Sequence, residues 1–224
     1  MAEIAYKDAI ESISHLLLSG IRAVGFVSPS HRIDTMLKII EDIHNQGSDP
    51  VFIYNSNAYD KAEILNLLDP YIDVYLPDFK YADDNLAFEL SGIKNYTATA
   101  LKALKEMVRQ KGTAHFLNEN DEIEKGVIVR HLVLPGYIEN SKKVIDLLAD
   151  NFSANLHISL MSQYNPISEM KDHPNLGRTL FPEEYIEVTE YLESKGFYKG
   201  WAQEFDSSGH YNPDFSREHP FESL

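Results

Sequence analysis

The chain has 224 residues, 43% of them hydrophobic, no cysteine, and a formal net charge of −15 from 20 basic and 35 acidic side chains. That length supports one α/β domain with a substantial core, and the acidic field argues against nucleic acid or acidic membranes as partners. Without thiols there is no disulfide, no thiolate nucleophile and no cysteine-held zinc or iron–sulfur centre; with no basic leader and no membrane-length apolar run, a cytoplasmic protein is expected.

Residues 5–18, AYKDAIESISHLLL, set Ala9, Ile10, Ile13, Leu16 and Leu17 at helical spacing, and Gly20 supplies a stop. IRAVGFV (21–27) is short, branched and aromatic, and reads as a strand. A helix follows, with Asp34 as its expected N-cap and Met36, Leu37, Ile39, Ile40 and Ile43 on one face. The same order recurs: PVFIYN and a helix over 61–68; IDVYLP and helices on either side of Gly92; GVIVRHLVLP and SKKVIDLLADNF; LHISLMS and PEEYIEVTEYLESKG. Strands with so little polar alternation predict a parallel sheet covered by helices. The predicted organisation is one domain over 1–206, with 207–224 as a tail that wraps the surface or stays disordered.

In parallel α/β folds ligands bind beyond the carboxyl ends of the strands. Those ends read VSPSHR, YNSNAYD, LPDFKY, RHLVLPGYIEN and MSQYNP, which nominates Ser28, Ser30, His31, Asn55, Ser56, Asp78, Lys80, Arg130, Gln163 and Tyr164 for one polar rim. Arg130 is informative because a guanidinium inside an apolar strand needs an acidic partner, either Asp78 or a ligand carboxylate. Gly136 lets backbone approach a ligand or simply turns the chain. Asp78 and Lys80 are alternatively a solvated ion pair. The nine histidines show no H-E-x-x-H spacing, and neither a G-x-S-x-G elbow nor a phosphate-binding P-loop is present, so no metal ligands or hydrolase nucleophile are assigned.

Taken together, FVSPSH, VFIYNSNAY, IDVYLPDFKY, GVIVRHLVLPG and HISLMSQYNP resemble the radical S-adenosylmethionine (SAM) proteins of the pyruvate formate-lyase-activating-enzyme-like family, from about Gly20 to Pro166. The resemblance implies a partial (β/α)6 barrel of the TIM type missing its first strand. It also implies a SAM ligand, and a [4Fe–4S] cluster that cleaves SAM reductively to make a radical on a target such as a glycyl radical enzyme. SPSH stands where such enzymes hold the methionine amino group with a Gly-Gly-Glu element, which makes Ser28, Ser30 and His31 candidates although the glycines are missing. YNSNAY resembles an Asp/Asn-Thr-Asn-Gly element with Ala58 in the glycine position. PDFK resembles Asp-Leu-Lys, Arg130 the arginine of the fifth strand, and Gln163 with Tyr164 the adenosine contacts.

The family's C-x3-C-x2-C loop has no counterpart in this sequence, so the cluster is not expected on this chain. The expectation is therefore an oxidoreductase core incompetent alone, as an expressed fragment, a natural truncation or a half-enzyme completed by a cluster-bearing piece. Two other classes stay open: a non-catalytic module that docks onto a partner, and a lyase or aldolase barrel using Lys80 as a Schiff-base amine. Loss of a first strand also leaves IRAVGFV as an open edge, expected to be covered by Trp201–Phe205 or by a second subunit.

Overall fold

The computed structural model describes residues 6–203 and Phe205. Seven strands, β1 (Ala23–Val27), β2 (Val51–Ser56), β3 (Val74–Pro77), β4 (Phe116–Leu117), β5 (Ile123–Leu132), β6 (His157–Met161) and β7 (Gly200–Ala202), alternate with helices. These are α1 (Tyr6–Leu18), α2 (Ile33–Asn45), α3 (Ala62–Leu68), α4 (Asp84–Ser91), α5 (Tyr96–Lys111), α6 (Ile138–Asn151) and α7 (Pro182–Ser194). The sheet order is β1-β2-β3-β5-β6-β7, with β4 added antiparallel to β5. The pairs β1–β2, β2–β3, β3–β5 and β6–β7 are parallel. This is the parallel α/β sheet that the alternation predicts, in the open form that the resemblance implies for a partial barrel. None of the helices described is long and apolar enough to cross a membrane.

The chain divides into two compact units, Met1–Asp78 with Ala98–Ile128, and Phe79–Thr97 with Val129–Leu224. In the first, α2 buries Met36, Ile40 and Ile43, three residues at i, i+4 and i+7 that form one stripe. Each large apolar side chain so buried contributes about 1.5–3 kcal/mol. Lys111 ends α5 at only 8% exposure, and its Nζ donates to the carbonyl (2.9 Å) and Oδ1 (3.2 Å) of Asp69, the C-cap of α3. A cation there also complements the negative end of that helix.

In the second unit, Asp83 caps α4 by accepting from the Asn85 N–H (2.8 Å), and Gly92 closes it in the left-handed region at φ 66°. Arg178 forks onto Glu184 with bonds of 2.7 and 2.9 Å, and the same carboxylate accepts from the N–H groups of Phe181 and Gly136. These donors pull the Glu184 carboxyl down to about 2. His131 is buried, with Nδ1 2.7 Å from the Phe79 carbonyl and Nε2 2.9 Å from Ser141 Oγ. It packs the interior of its unit although it lies in a rim motif.

Several expectations change. Helix α2 begins at Ile33, Arg32 is its N-cap, and Asp34 sits inside the first turn, where its charge meets the helix dipole without capping. Helix α6 starts three residues before Ser141. Strand β5 starts at Ile123 because Asn118–Glu122 turns the chain back, with Asp121 at φ 61°, so that β4 can pair with it. Strand β1 is not buried: Ala23, Gly25 and Val27 are exposed and only Val24 and Phe26 are half-buried. Trp201, expected over that edge, is held in β7, which pairs with β6 so that Trp201 stands opposite Ser159. The tail expected over 207–224 lies outside the described residues.

Candidate functional site

In the first unit the strand registers bring the predicted residues to one end of three neighbouring strands. Val27 pairs with Asn55, and Ser56 pairs with Pro77. The Ser28 N–H then donates to the Asn55 carbonyl and the Asp78 N–H to the Ser56 carbonyl, both at 2.8 Å. Ser28, Asn55, Ser56 and Asp78 therefore lie at the carboxyl ends of β1, β2 and β3.

Beyond β2 the chain is held by its own side chains. Ser56 Oγ accepts from the Ala58 N–H at 3.0 Å, and Asn57 Oδ1 accepts from the Tyr59 N–H at 3.0 Å. These short polar turns keep Ala58 in the left-handed region at φ 59°, which costs a residue with a Cβ about 1–2 kcal/mol. Ala58 is also fully buried. The position that the resemblance gives to glycine thus keeps a glycine-like backbone while carrying a methyl group.

The loop after β1 starts with Ser28 at φ 51° and forms a short 3-10 turn, Pro29–His31. Ser28, Ser30 and His31 are exposed. Ser30 Oγ reaches down to Asp60 Oδ1 at 2.6 Å, and the hydroxyl of Tyr54, from the middle of β2, donates to the same oxygen at 2.9 Å. Burial, followed by the Asp60 charge, raises the Tyr54 phenol well above its ordinary value, so it remains a proton donor. Asp60 is 5% exposed, and its Oδ2 is buried with no hydrogen-bond partner among the described residues.

In the second unit the predicted residues are Lys80, Arg130, Gln163 and Tyr164, all half-buried. The backbone of Lys80 is fixed at both groups: its N–H donates to the Tyr96 hydroxyl (2.9 Å) and its carbonyl accepts from Asn140 Nδ2 (3.0 Å). Arg130 lies in β5, and its carbonyl accepts from the Phe79 N–H. Gln163 Oε1 accepts from Gln203 Nε2 at 3.0 Å, and the Tyr164 hydroxyl donates to the Leu176 carbonyl at 2.9 Å. Gly136, at φ 74°, approaches its own chain: a Cβ there would collide with the Asn175 side chain.

Sequence reasoning passed over Asp60 and Tyr54. A signal existed, because a tyrosine between Ile53 and Asn55 in a buried strand needs a partner for its hydroxyl, and Asp60 is the acid six residues on. No group of three or more metal-capable His, Cys, Asp or Glu side chains occurs among the described residues. With no cysteine in the chain, a thiolate-held cluster does not fit the residues present.

No protein-family profile matches the chain. An uncharacterized protein of Methanocaldococcus jannaschii is 30% identical over 159 residues, 70% of this chain but 42% of that protein, so the chain spans less than half the length of this curated relative. Among solved structures, a domain of pyruvate-formate lyase-activating enzyme from Bacteroides vulgatus aligns with TM-score 0.57 at 15% identity, over 80% of this chain and 98% of that one. A radical SAM methyltransferase from Sphaerobacter thermophilus aligns at 0.65 and 10% identity, over 89% of this chain and 57% of that one. SuiB of Streptococcus suis, solved with S-adenosylmethionine bound, aligns at 0.57 and 14% identity, over 97% and 47%. The strand order, the parallel pairings and these alignments agree: the fold of this chain is that of the radical S-adenosylmethionine proteins.

Proposed function

We propose that this chain is the SAM-binding core of an activating-enzyme-like radical SAM protein, with a protein target of the glycyl-radical type and with cluster thiolates supplied from outside these 224 residues. The observation that carries the reading is the turn after β2, where YNSNAY holds Ala58 in the left-handed conformation of the glycine it replaces. The residues also fit a cationic ligand, because the same loop pair contains a buried carboxylate oxygen with no partner among the described residues. In this reading Ser28, Ser30, His31, Asn55, Ser56 and Asp78, all of the first unit, serve the ligand. Bound SAM would supply radical chemistry once a cluster held outside these 224 residues reduced it; the residues of this chain only bind and orient. Isothermal titration with SAM tests the reading, and absence of heat at millimolar ligand removes it.

Among the described residues β1 pairs with β2 alone, which favours a second reading, a docking module. The Arg22 carbonyl and the Ser28 N–H both bond to the β2 side, so the backbone groups of Ala23, Gly25 and Val27 point the other way. Val27 is 75% exposed, and this edge carries none of the charges or prolines that blunt natural edges. In this reading a strand from a cluster-bearing partner or a second subunit pairs there. Co-purification with such a partner, abolished by Gly25→Pro, supports it; a monomer that captures nothing in the native host counts against it.

A further inference from the structure

A cavity of about 640 Å³ lies at the amino ends of β1, β2 and β5, the strand ends opposite the candidate site. Its size falls in the range of about 300–1,000 Å³ common to ligand sites. Asn118 shapes one wall: its Oδ1 accepts from the N–H groups of Asn120 (2.9 Å) and Glu122 (3.0 Å), and its Nδ2 donates to the Glu122 carboxylate at 2.7 Å. The turn before β5 thereby holds Glu122 and Glu124 in the lining, where Asp49 and Arg22 join them. Three carboxylates against one guanidinium leave the charge negative. Leu17, Pro50 and Ile123 supply apolar wall. The lining also includes Ala23, the first residue of β1, so the cavity runs into the strand edge whose backbone groups at Ala23, Gly25 and Val27 face away from β2.

Resting on the docking reading above, we infer that the cavity and the β1 edge form one site for an extended peptide segment, which pairs with β1 and sets a basic residue in the cavity. A strand edge bonds the backbone of any sequence, and selection comes from the pockets beside it. Here a lysine or arginine stem packs on Leu17 and Ile123 while its charge meets the carboxylates; an acidic residue would face Asp49, Glu122 and Glu124 instead. Along the strand, half-buried Val24 and Phe26 and exposed Val27 favour apolar partners. Ile21, 50% exposed, and Leu18, 88% exposed, carry the apolar surface on past the cavity. That surface is longer than a small amine covers, which makes a peptide the occupant.

The test is fluorescence anisotropy of the full chain with two labelled synthetic peptides, a valine-threonine strand flanked at both ends by lysine or by glutamate. The lysine peptide is expected to bind about tenfold or more tightly, and Gly25→Pro to abolish binding of both. Asp49→Asn combined with Glu124→Gln, two exposed side chains, should erase most of the lysine preference. Glu190→Gln with Glu193→Gln, which removes the same charge from the exposed face of α7, should leave it unchanged. These charge pairs decide the matter even where Gly25→Pro fails to fold. A preference lowered equally by both pairs is the acidic field of the whole protein and overturns the inference. Equal binding of the two peptides overturns it and leaves strand docking standing, and lysine-peptide binding that survives Gly25→Pro overturns it by separating cavity from edge. No binding of either peptide at millimolar concentration overturns both the inference and the docking reading.

Discussion

The loops after β1 and β2 and the segment after β6 both follow carboxyl strand ends, yet they treat their polar side chains differently. After β6, Gln163 and Tyr164 are tied to Gln203 and to the Leu176 carbonyl, so these contacts hold the chain's own segments together. After β1 and β2, the bonds converge on one carboxylate and leave its other oxygen without a partner among the described residues, and a residue with a Cβ is held in a glycine-like conformation. One region is built for order; the other carries cost with no structural return. Local cost that the remaining structure sustains is characteristic of binding sites.

Substitutions can break or sharpen this contrast. The largest effect is expected in the ordered region: Glu184→Ala leaves Arg178 and the N–H groups of Phe181 and Gly136 without their acceptor, costing about 3 kcal/mol. Thermal denaturation should show a midpoint lower by about 6–12 °C. The same carboxylate predicts the pH dependence. Its folded pKa lies at about 2, below the ordinary value of 4.5, so its stabilisation is complete above pH 4.5 and disappears as pH falls towards 2. In Glu184→Gln the midpoint should be flatter over that interval than in wild type.

Next in size is Ala58→Val. A β-branched side chain at φ 59° in a fully buried position should cost about 2 kcal/mol and also weaken SAM, since the turn carries Asn55 and Ser56. Tyr164→Phe removes one neutral hydrogen bond and should cost about 1 kcal/mol, read as a small shift in denaturant midpoint. The smallest expected stability effect is that of Asp60→Asn, which removes a buried charge and keeps an acceptor for Ser30 and Tyr54. Its thermal midpoint should equal or exceed that of wild type, whereas a clear drop would place Asp60 with the ordered region and erase the contrast.

Much of the architecture was legible in the chain. The helix at 61–68 and the pair of helices flanking Gly92 lie where apolar spacing and the glycine stop place them, because both signals are local and repeat with the element's own period. Burial was less legible. AVGFV and the VIVRH stretch of β5 look alike in composition, but among the described residues β1 has a strand neighbour on one side only and stays exposed, whereas Val127, Ile128, Val129 and His131 are buried. His131 illustrates the same limit: a histidine in a rim motif became an interior residue once the Phe79 carbonyl and Ser141 closed on it.

By itself the amino-acid sequence determined the alternation of strands and helices, the polar residues at the strand ends, the acidic field and the absence of thiolates for a cluster. Only the tertiary structure decided which of those polar groups bond to distant parts of the chain, as Ser30 does to Asp60 and Gln163 to Gln203. Hydrogen-bond partners such as Ser30 and Asp60 are thirty residues apart, and whether their atoms meet depends on the crossover through α2 and the turn after β2. Composition and period carry the local preferences, while the direction of a hydroxyl proton depends on packing.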